Sequence, residues 1–448
     1  MNVRDLLESC IAQIETHNPR VNAVVATDYD AARALADTQD KTRTDHAELP
    51  PLFGLPVLVK DLIETRDMKT TFGSLCFKDH IPRKDGDIVR RLREAGAIIL
   101  GKTNTPEFGA GANTFNKVYG ATRNPHNRAL TCGGSSGGSA VAVACNMAPL
   151  AIGSDFGGSL RIPASFCGVV GMRPTPGRVP CSDLAIGNSP LWTEGPMARS
   201  VEDAALCLSV IEGGEPGDPR SSQDLTLSRL EDVDLSKLKL GVSLDFDFAV
   251  MEDGLRKAAR KQIDRILQFF ASNQKITPDF STATEIFRTF RVLDVSATAN
   301  MHGVTNDSRL GDNVKANLAE TGALTIGDTA TNMAAHSRLM RGFHALFDGV
   351  DVIIAPATGV SPFPVEQPYP ATINGKPLEN YTGWYALTWA ISLTGCPVVS
   401  IPCGTDPSGL PFGLQVIAPR HRDTLALSVA SRLSSELRAT SNSARPLR

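Results

Sequence analysis

Apolar and polar positions along this chain follow helical and strand periods in turn. An apolar stripe near the start falls on one face of a helix, so residues 3–16 are predicted to form an amphipathic helix docked on a core. The stripe consists of Val3, Leu6, Leu7, Cys10, Ile11 and Ile14. Residues 88–92 mark a helix that ends near Gly96, and residues 97–100 are then predicted to form a strand.

The same alternation continues to the end of the chain. It indicates an α/β fold with a mixed sheet between helical layers. The proline-rich stretch 362–370 is predicted to be a surface loop near the pocket, because strand-like core sequence lies on both sides of it. Further predicted elements are the helices 201–211 and 423–437, helical stretches over about 252–347, and the strands 238–244, 352–355 and 398–402.

Composition narrows the classes of function. The 448 residues are 42% hydrophobic, enough for a large core, and we expect a single elaborated domain over residues 1–448. A formal net charge of −3 predicts no nucleic-acid partner, and a small neutral substrate suits this balance better. The nine cysteines contain no C-x-x-C pair, which favours reduced thiols and a cytoplasmic location.

Several kinds of site and segment are not predicted. No apolar run is long enough for a membrane span, and the N-terminal residues are too acidic for a signal peptide. No metal-ligand cluster, dinucleotide fingerprint or P-loop is present, so the sequence predicts neither a metal nor another cofactor.

Two serine-bearing glycine turns, at residues 133–139 and 153–159, carry the candidate chemistry. Such clusters commonly mark flexible loops. Here the segment between them is apolar enough to be a buried helix and strand, which would attach both turns to rigid elements. Gly137 and Gly138 would leave the first N–H groups of that helix open to an oxyanion. Gly157 and Gly158 would let the backbone approach a substrate closely.

Lys60 follows a short strand-like run, residues 55–59. Burial there would lower its pKa and make it a candidate general base. The alternative is a surface charge after a strand. His126 is the only histidine between residues 81 and 300, and we expect it to lie in a loop. The layout is therefore that of a serine hydrolase without a catalytic histidine.

These segments resemble the amidase signature family. The match is densest over residues 131–178, with Gly-Gly-Ser-Ser-Gly-Gly-Ser followed by Gly-Gly-Ser-Leu-Arg-Ile-Pro. The resemblance implies the amidase signature fold, a mixed twisted β-sheet sandwiched between layers of α-helices. It also implies a signature core at about 50–212 and a variable substrate-pocket region at about 213–395. Similar family segments are found at residues 53–61, 101–108, 195–199, 395–403 and 409–418.

The resemblance also implies roles for three residues. Ser159 would be the nucleophile that forms an acyl-enzyme. Ser135 would follow a cis peptide bond and relay a proton between Ser159 and Lys60. Lys60 would begin neutral, accept that proton and help to return it to the leaving amine.

The loop before the nucleophile would form the oxyanion hole, through the backbone N–H groups of Phe156, Gly157, Gly158 and Ser159. Phe156 stands where many relatives have a smaller residue, which affects pocket shape more than catalysis. Arg161 is expected to be a structural clamp, with substrate-carboxylate binding as the alternative. The predicted supporting residues are Ser136, Ser154, Asp155 and Arg161. Structural roles are expected for Asp61, Asn104, Glu107 and Arg173.

Four aromatic residues fall in the variable pocket region: Trp192, Trp384, Tyr385 and Trp389. If they line the cleft, an aromatic or apolar acyl or amine group is favoured. Ordinary core or surface packing is an equal alternative.

The predicted function is hydrolysis of a small-molecule amide with release of ammonia or an amine. The alternatives are a glutaminase or amidotransferase component that works with a partner, and a non-catalytic binding protein. The glutaminase branch of the family binds glutamine with an arginine and an aspartate, and the comparable stretches here, 314–317 and 384–388, lack both charges. A stand-alone amidase is therefore favoured, and a homodimer is expected by analogy with relatives.

Overall fold

The computed structural model describes residues 2–42, 48–222, 230–378 and 380–439. These residues form twelve α-helices and fifteen β-strands. The helices are α1 Val3–Val21, α2 Tyr29–Thr42, α3 Asp87–Glu94, α4 Gly137–Ala144, α5 Arg161–Cys167, α6 Val201–Ile211, α7 Asp253–Leu267, α8 Ala283–Met301, α9 Asp312–Ala319, α10 Ile326–His344, α11 Ala386–Ser392 and α12 Asp423–Ala439. The strands are β1 Val24–Thr27, β2 Pro56–Lys60, β3 Ile98–Thr103, β4 Phe115–Asn116, β5 Gly120–Ala121, β6 Leu150–Asp155, β7 Val170–Arg173, β8 Thr193–Ala198, β9 Lys239–Val242, β10 Ser272–Lys275, β11 Val352–Pro356, β12 Thr372–Ile373, β13 Lys376–Pro377, β14 Val398–Thr405 and β15 Pro411–Ile417.

Eleven strands form one mixed sheet in the order β1-β3-β2-β6-β8-β7-β14-β15-β11-β9-β10. Strand β2 is parallel to β3 and β6, whereas β8 is antiparallel to both β6 and β7. Alternate residues of β2 enter different cores, since Val57 and Val59 pack with α3 and α6 while Leu58 packs with α1, α2 and α4. The mixed sheet between helical layers confirms the predicted α/β class.

Two elements differ from their predictions. Helix α1 continues to Val21, beyond the predicted end at residue 16. Strand β10 lies inside the region predicted to be helical, and it pairs in parallel with β9 at the sheet edge. Its sequence, Ser-Asn-Gln-Lys, is fully exposed and contains no apolar residue, so hydrophobic periodicity could not reveal it.

The fold gathers the chemical groups at one edge of the sheet. Lys60 is the last residue of β2 and Asp155 is the last residue of β6, and these neighbouring strands are parallel. Helix α4 joins the two glycine turns and is almost entirely buried, as predicted. All nine cysteines are unpaired. No helix within the described residues is long and apolar enough to cross a membrane.

Candidate active site

Lys60 is completely buried, and its ammonium lies among three serine hydroxyls. The Nζ atom donates to Ser135 Oγ at 2.6 Å, to Ser154 Oγ at 2.9 Å and to Ser136 Oγ at 3.0 Å. These serines come from the first glycine turn and from β6. The structure therefore brings together a lysine and three serines that are far apart in sequence.

The environment of Lys60 favours its neutral form. Burial removes the amine from water and lowers the Lys60 pKa to about 7, while the negative charges of Asp155 and Glu194 oppose that shift. A lysine with this pKa is partly deprotonated at neutral pH, which a general base requires.

Hydrogen bonding around Lys60 selects a proton donor. A neutral lysine offers two N–H donors and one lone pair, so one of its three hydroxyl neighbours must donate to it. Ser136 Oγ donates to the carbonyl oxygen of Ser154 at 3.1 Å, so it accepts from Lys60. Ser135 Oγ makes only the contact with Lys60 within the described chain, at the shortest of the three distances. Ser135 is therefore well placed to pass a proton to the amine.

The turn that carries Ser135 is packed against Thr114. Thr114 Oγ1 donates to the carbonyl oxygen of Gly133 at 2.8 Å and accepts from the N–H of Gly137 at 3.1 Å. A Cβ atom at Gly137 would lie 2.3 Å from Thr114 Oγ1, so a side chain cannot be accommodated there. The Gly134–Ser135 peptide bond is cis, as the family resemblance implies for the bridging serine.

Ser159 lies at the end of the second glycine turn and is half-buried. Its hydroxyl makes no hydrogen bond to any described residue, whereas its carbonyl oxygen accepts from the N–H of Ser136 at 3.2 Å. That bond holds the two turns side by side. Gly158 has a φ of +132°, and a Cβ atom there would lie 2.2 Å from Thr388 Oγ1, so glycine is required before the serine.

The backbone N–H groups before Ser159 differ in availability. The Gly158 N–H donates to Asp155 Oδ1 at 2.8 Å, so the prediction of Gly158 as an oxyanion donor needs correction. The N–H groups of Phe156, Gly157 and Ser159 have no acceptor among the described residues. These three remain the candidates for an oxyanion hole.

Asp155 organises the loop from below. Its carboxylate accepts from Arg161 at 2.9 and 3.0 Å and from Arg173 at 2.9 Å, and all three side chains are completely buried. Burial alone would raise the Asp155 pKa, but the two guanidinium groups hold it well below its usual range. Burial lowers the Arg173 pKa to about 10. The carboxylate therefore stays charged and keeps the loop in place.

Arg161 uses all five of its N–H donors inside the protein. Besides Asp155, it donates to Thr388 O at 2.9 Å, Gln415 Oε1 at 2.8 Å and Ser392 Oγ at 2.6 Å. No donor is left for a substrate carboxylate. This geometry agrees with the clamp that the sequence favoured over the substrate-binding alternative.

Glu194 is a buried neighbour of the site that sequence reasoning missed. It lies opposite Ser154 in the β6–β8 register, and only 7% of the residue is exposed. Burial raises its pKa well above the ordinary value, and the nearby carboxylates of Asp183 and Asp87 add to that rise. The signal in the sequence was a single acidic residue in a strand that is otherwise buried and uncharged.

The predicted pocket aromatics do not all face one cleft. Trp384 is 1% exposed and packs in the core, stacked on Phe166 at 6.1 Å and edge-on to Phe363 at 5.3 Å. Tyr385 lies beside it, with the ring centroids 5.2 Å apart. The Trp384 ring therefore belongs to the core in this structure.

Trp389 lies closer to the nucleophile loop. Its ring stacks on Phe287 at 4.8 Å, and Phe287 lies against Gly157 and 5.8 Å from the ring of Phe156. Trp192 is half-buried, in the loop immediately before β8. Phe287, which sequence reasoning did not single out, forms the wall next to the loop.

The residues given structural roles have internal partners. Asp61 accepts from Thr71 Oγ1 at 2.5 Å, and Glu107 accepts from Ser74 Oγ at 2.6 Å. His126 lies in a loop, as predicted, with Nε2 3.0 Å from a backbone carbonyl oxygen. Among the described residues, no group of three or more His, Cys, Asp and Glu side chains is arranged to hold a metal ion.

Comparison with known proteins places this geometry in context. A family model described as Amidase matches residues 5–427. A glutamyl-tRNA(Gln) amidotransferase component, the one designated A, from Syntrophobacter fumaroxidans (strain DSM 10017 / MPOB) is 34% identical over 460 residues, which cover 96% of this chain and 93% of the relative.

Solved structures are similar over almost the full length. A bacterial aryl acylamidase of the amidase signature family superposes with a TM-score of 0.89 at 26% identity, covering 100% of this chain and 96% of the other. A 6-aminohexanoate cyclic dimer hydrolase complexed with substrate gives a TM-score of 0.87 at 27% identity, covering 100% and 95%. The sequence relatives and the structural neighbours thus include both amidases and amidotransferase components.

Proposed function

Because this chain belongs to the amidase signature family, we propose that it hydrolyses linear small-molecule amides through an acyl-enzyme on Ser159. The observation that carries the proposal is the buried Lys60 amine, 2.6 Å from Ser135 Oγ and with a pKa lowered to about 7. Ser135 in turn belongs to the glycine turn that a backbone hydrogen bond joins to Ser159.

The proposed reaction begins with the proton of Ser159. As Ser159 Oγ attacks the amide carbon, its proton passes to Ser135, and the Ser135 proton passes to neutral Lys60. The oxyanion receives hydrogen bonds from the N–H groups of Phe156, Gly157 and Ser159. One such donor typically contributes about 3 kcal/mol to transition-state stabilisation.

Collapse of the tetrahedral intermediate breaks the carbon–nitrogen bond. The proton held on Lys60 returns through Ser135 to the leaving nitrogen, which departs as ammonia or an amine. Water then attacks the acyl-enzyme with the same two residues as base. The products are a carboxylate and the restored Ser159 hydroxyl.

A glutaminase component that needs a partner protein is the second candidate, because curated sequence relatives are components of amidotransferases. Two stretches favour a stand-alone enzyme over it. Residues 384–388 contain no charged side chain, and in 314–317 the only charged residue is Lys315, whose Nζ donates to the carbonyl oxygen of Ser308 at 2.8 Å. Neither stretch supplies the pair of charges that glutamine binding uses in that branch.

The test is ammonia or amine release from aliphatic amides, aryl amides, carbamoyl compounds and glutamine. Wild type is compared with Ser159→Ala, Ser135→Ala and Lys60→Ala. Ser139→Ala is the matched control, because Ser139 is buried in the same block but its hydroxyl contacts Ile152 O and Thr103 Oγ1.

We expect activity to be lost in the three site variants and retained in the control. Turnover of glutamine alone, and only with an added partner, would favour the amidotransferase alternative. Release that persists in Ser159→Ala would refute the mechanism.

A further inference from the structure

Arg291 and Tyr381 form a donor-rich group beside the nucleophile. Arg291 Nη1 donates to Asn317 Oδ1 at 2.6 Å and to Tyr381 Oη at 2.9 Å. The guanidinium carbon also lies 5.3 Å from the centre of the Tyr381 ring. None of these residues was a candidate from the sequence.

Three walls around Ser159 lead to this group. The first is α8, where Phe287 lies against Gly157 and Arg291 follows one helical turn later on the same face. The second is α11, because Thr388 lies against Gly158 at the helix whose N-cap is Tyr385.

Tyr385 continues that second wall to the group, since its ring centre lies 6.5 Å from that of Tyr381. The Tyr385 side chain is also buried, with only 6% of the residue exposed. The start of α11 therefore reaches the same guanidinium as α8.

The third wall starts at Ser135. A Cβ atom at Gly109 would lie 3.5 Å from Ser135 Oγ, and the next residue, Ala110, accepts from Asn313 Nδ2 at 3.1 Å. The carbonyl oxygen of Asn313 accepts from Asn317 Nδ2 at 2.6 Å. Since Asn317 accepts from Arg291, this wall ends at the same guanidinium.

The group offers hydrogen-bond donors that lack acceptors. Tyr381 Oη accepts from Arg291 and, at 3.3 Å, from Asn317 Nδ2, so its own proton points elsewhere, and no described residue accepts it. The Arg291 Nε–H is buried and also has no acceptor among the described residues. Buried donors of this kind are normally satisfied, which points to a ligand.

The charge of Arg291 is only partly neutralised. Its Nη2 donates to Glu320 at 3.0 Å, but the other oxygen of Glu320 accepts from Arg288 at 2.6 Å. One carboxylate is thus shared between two guanidinium groups. A charged donor beside a hydroxyl donor suits a carboxylate better than a neutral group.

We propose that Arg291 and Tyr381 form a subsite for a carboxylate on the substrate, so that the protein prefers amides that carry a carboxylate. The inference rests on the proposed amidase function, because it places this subsite beside Ser159. Arg291 and Tyr381 would bind and orient the substrate, and the bond-breaking steps would remain with Lys60 and the two serines.

The test compares paired amides of equal length, one ending in a carboxylate and one in a methyl group: malonamate with propionamide, succinamate with butyramide and glutaramate with valeramide. For the best pair, kcat/KM of the wild type should favour the carboxylate by about 10- to 100-fold, which is the range of one charge-assisted interaction. Arg291→Gln should remove that preference, mainly through KM, and leave the neutral amide within about threefold.

Two further variants separate binding from folding. Tyr381→Phe keeps the ring and removes only the hydroxyl, so a smaller loss confined to the carboxylate substrate is expected. Arg288→Gln is the matched control, because Arg288 shares Glu320 but its side chain is 39% exposed, against 13% for Arg291. It should keep the preference, and thermal unfolding checks that each variant is folded.

The two proposals can fail separately. Ser159-dependent hydrolysis with no carboxylate preference, or equal losses for both amides in Arg291→Gln, would overturn the subsite and leave the amidase function standing. If no amide is hydrolysed, calorimetry on Ser159→Ala decides the matter. Succinamate binding that is lost on adding Arg291→Gln would support the subsite, whereas absence of binding by all three carboxylates would overturn it.

Discussion

Acidification below about pH 7 is expected to reduce kcat/KM by protonating Lys60. Burial lowers the Lys60 pKa from 10.5 to about 7, so about half of the molecules hold a neutral amine at pH 7. With a pKa of 10.5 the neutral fraction at that pH would be only about one in three thousand. Since only the neutral form accepts a proton, kcat/KM should fall about tenfold for each pH unit below this point.

The assay is amide hydrolysis from pH 5 to pH 9 at substrate concentrations well below KM. In Glu194→Gln the acid limb should move to lower pH, because the Glu194 carboxylate raises the Lys60 pKa. Lys102→Gln is the control. Lys102 is also buried with a pKa lowered to about 8, but it donates to Thr65 Oγ1 at 2.8 Å and to a backbone carbonyl, away from the serines.

The same pKa has a consequence for stability. Between about pH 7 and pH 10.5 the unfolded chain holds a proton on Lys60 that the folded chain has lost, so this group makes stability rise with pH across that window. At about 1.4 kcal/mol per pH unit, the full difference is about 5 kcal/mol, and the whole cost is present below pH 7. Urea unfolding should therefore show a smaller rise with pH in Lys60→Met than in wild type.

An acid limb centred below pH 5 or above pH 9 would refute this account of Lys60. So would a limb that moves in Lys102→Gln and stays in place in Glu194→Gln. Unfolding curves of wild type and Lys60→Met with the same dependence on pH would show that the amine is not neutral in the folded protein.

Four other substitutions test the packing of the site. Gly158→Ala should abolish turnover, because its Cβ would lie 2.2 Å from Thr388 Oγ1, and wild-type rates would contradict this. Asp155→Asn should lower the free energy of unfolding by about 3–5 kcal/mol in urea titrations, since two buried guanidinium groups lose their charged partner. Phe156→Ala should change the ranking of amide substrates in the release assay and keep turnover, because only its N–H is proposed to act. Trp384→Ala should cost about 3–5 kcal/mol in the same urea titrations. A selective loss of aromatic substrates in that variant would instead place its ring in the cleft.

Local patterns in the sequence were sufficient for the elements that hold the triad. The glycine turns around Ser135 and Ser159 are separated by a continuous apolar segment, and that segment forms α4 and β6 as predicted. The run before Lys60 has strand character and is buried throughout. In each case the signal depends on neighbours within a few positions, which is the range over which periodicity and turn chemistry act.

Features that depend on distant partners were not predictable. Arg291 appears on α8 as one arginine among several, and its role depends on contacts with Asn317 and Tyr381. Trp384 lies in the core because Phe166 and Phe363 pack against it, and no pattern around residue 384 distinguishes that from a pocket wall. The Gly158 N–H is an available donor by its sequence position, and only the folded loop brings the Asp155 carboxylate within reach of it.

The nucleophile loop owes its shape to the C-terminal third of the chain as much as to its own sequence. Arg161 joins the loop to Thr388, Ser392 and Gln415, more than 220 positions away. Thr388 also excludes any side chain at Gly158, so the same helix that clamps the arginine makes glycine necessary before Ser159. Because α11 also begins at Tyr385, beside the proposed carboxylate subsite, one short helix links the geometry of the nucleophile to the binding of the substrate.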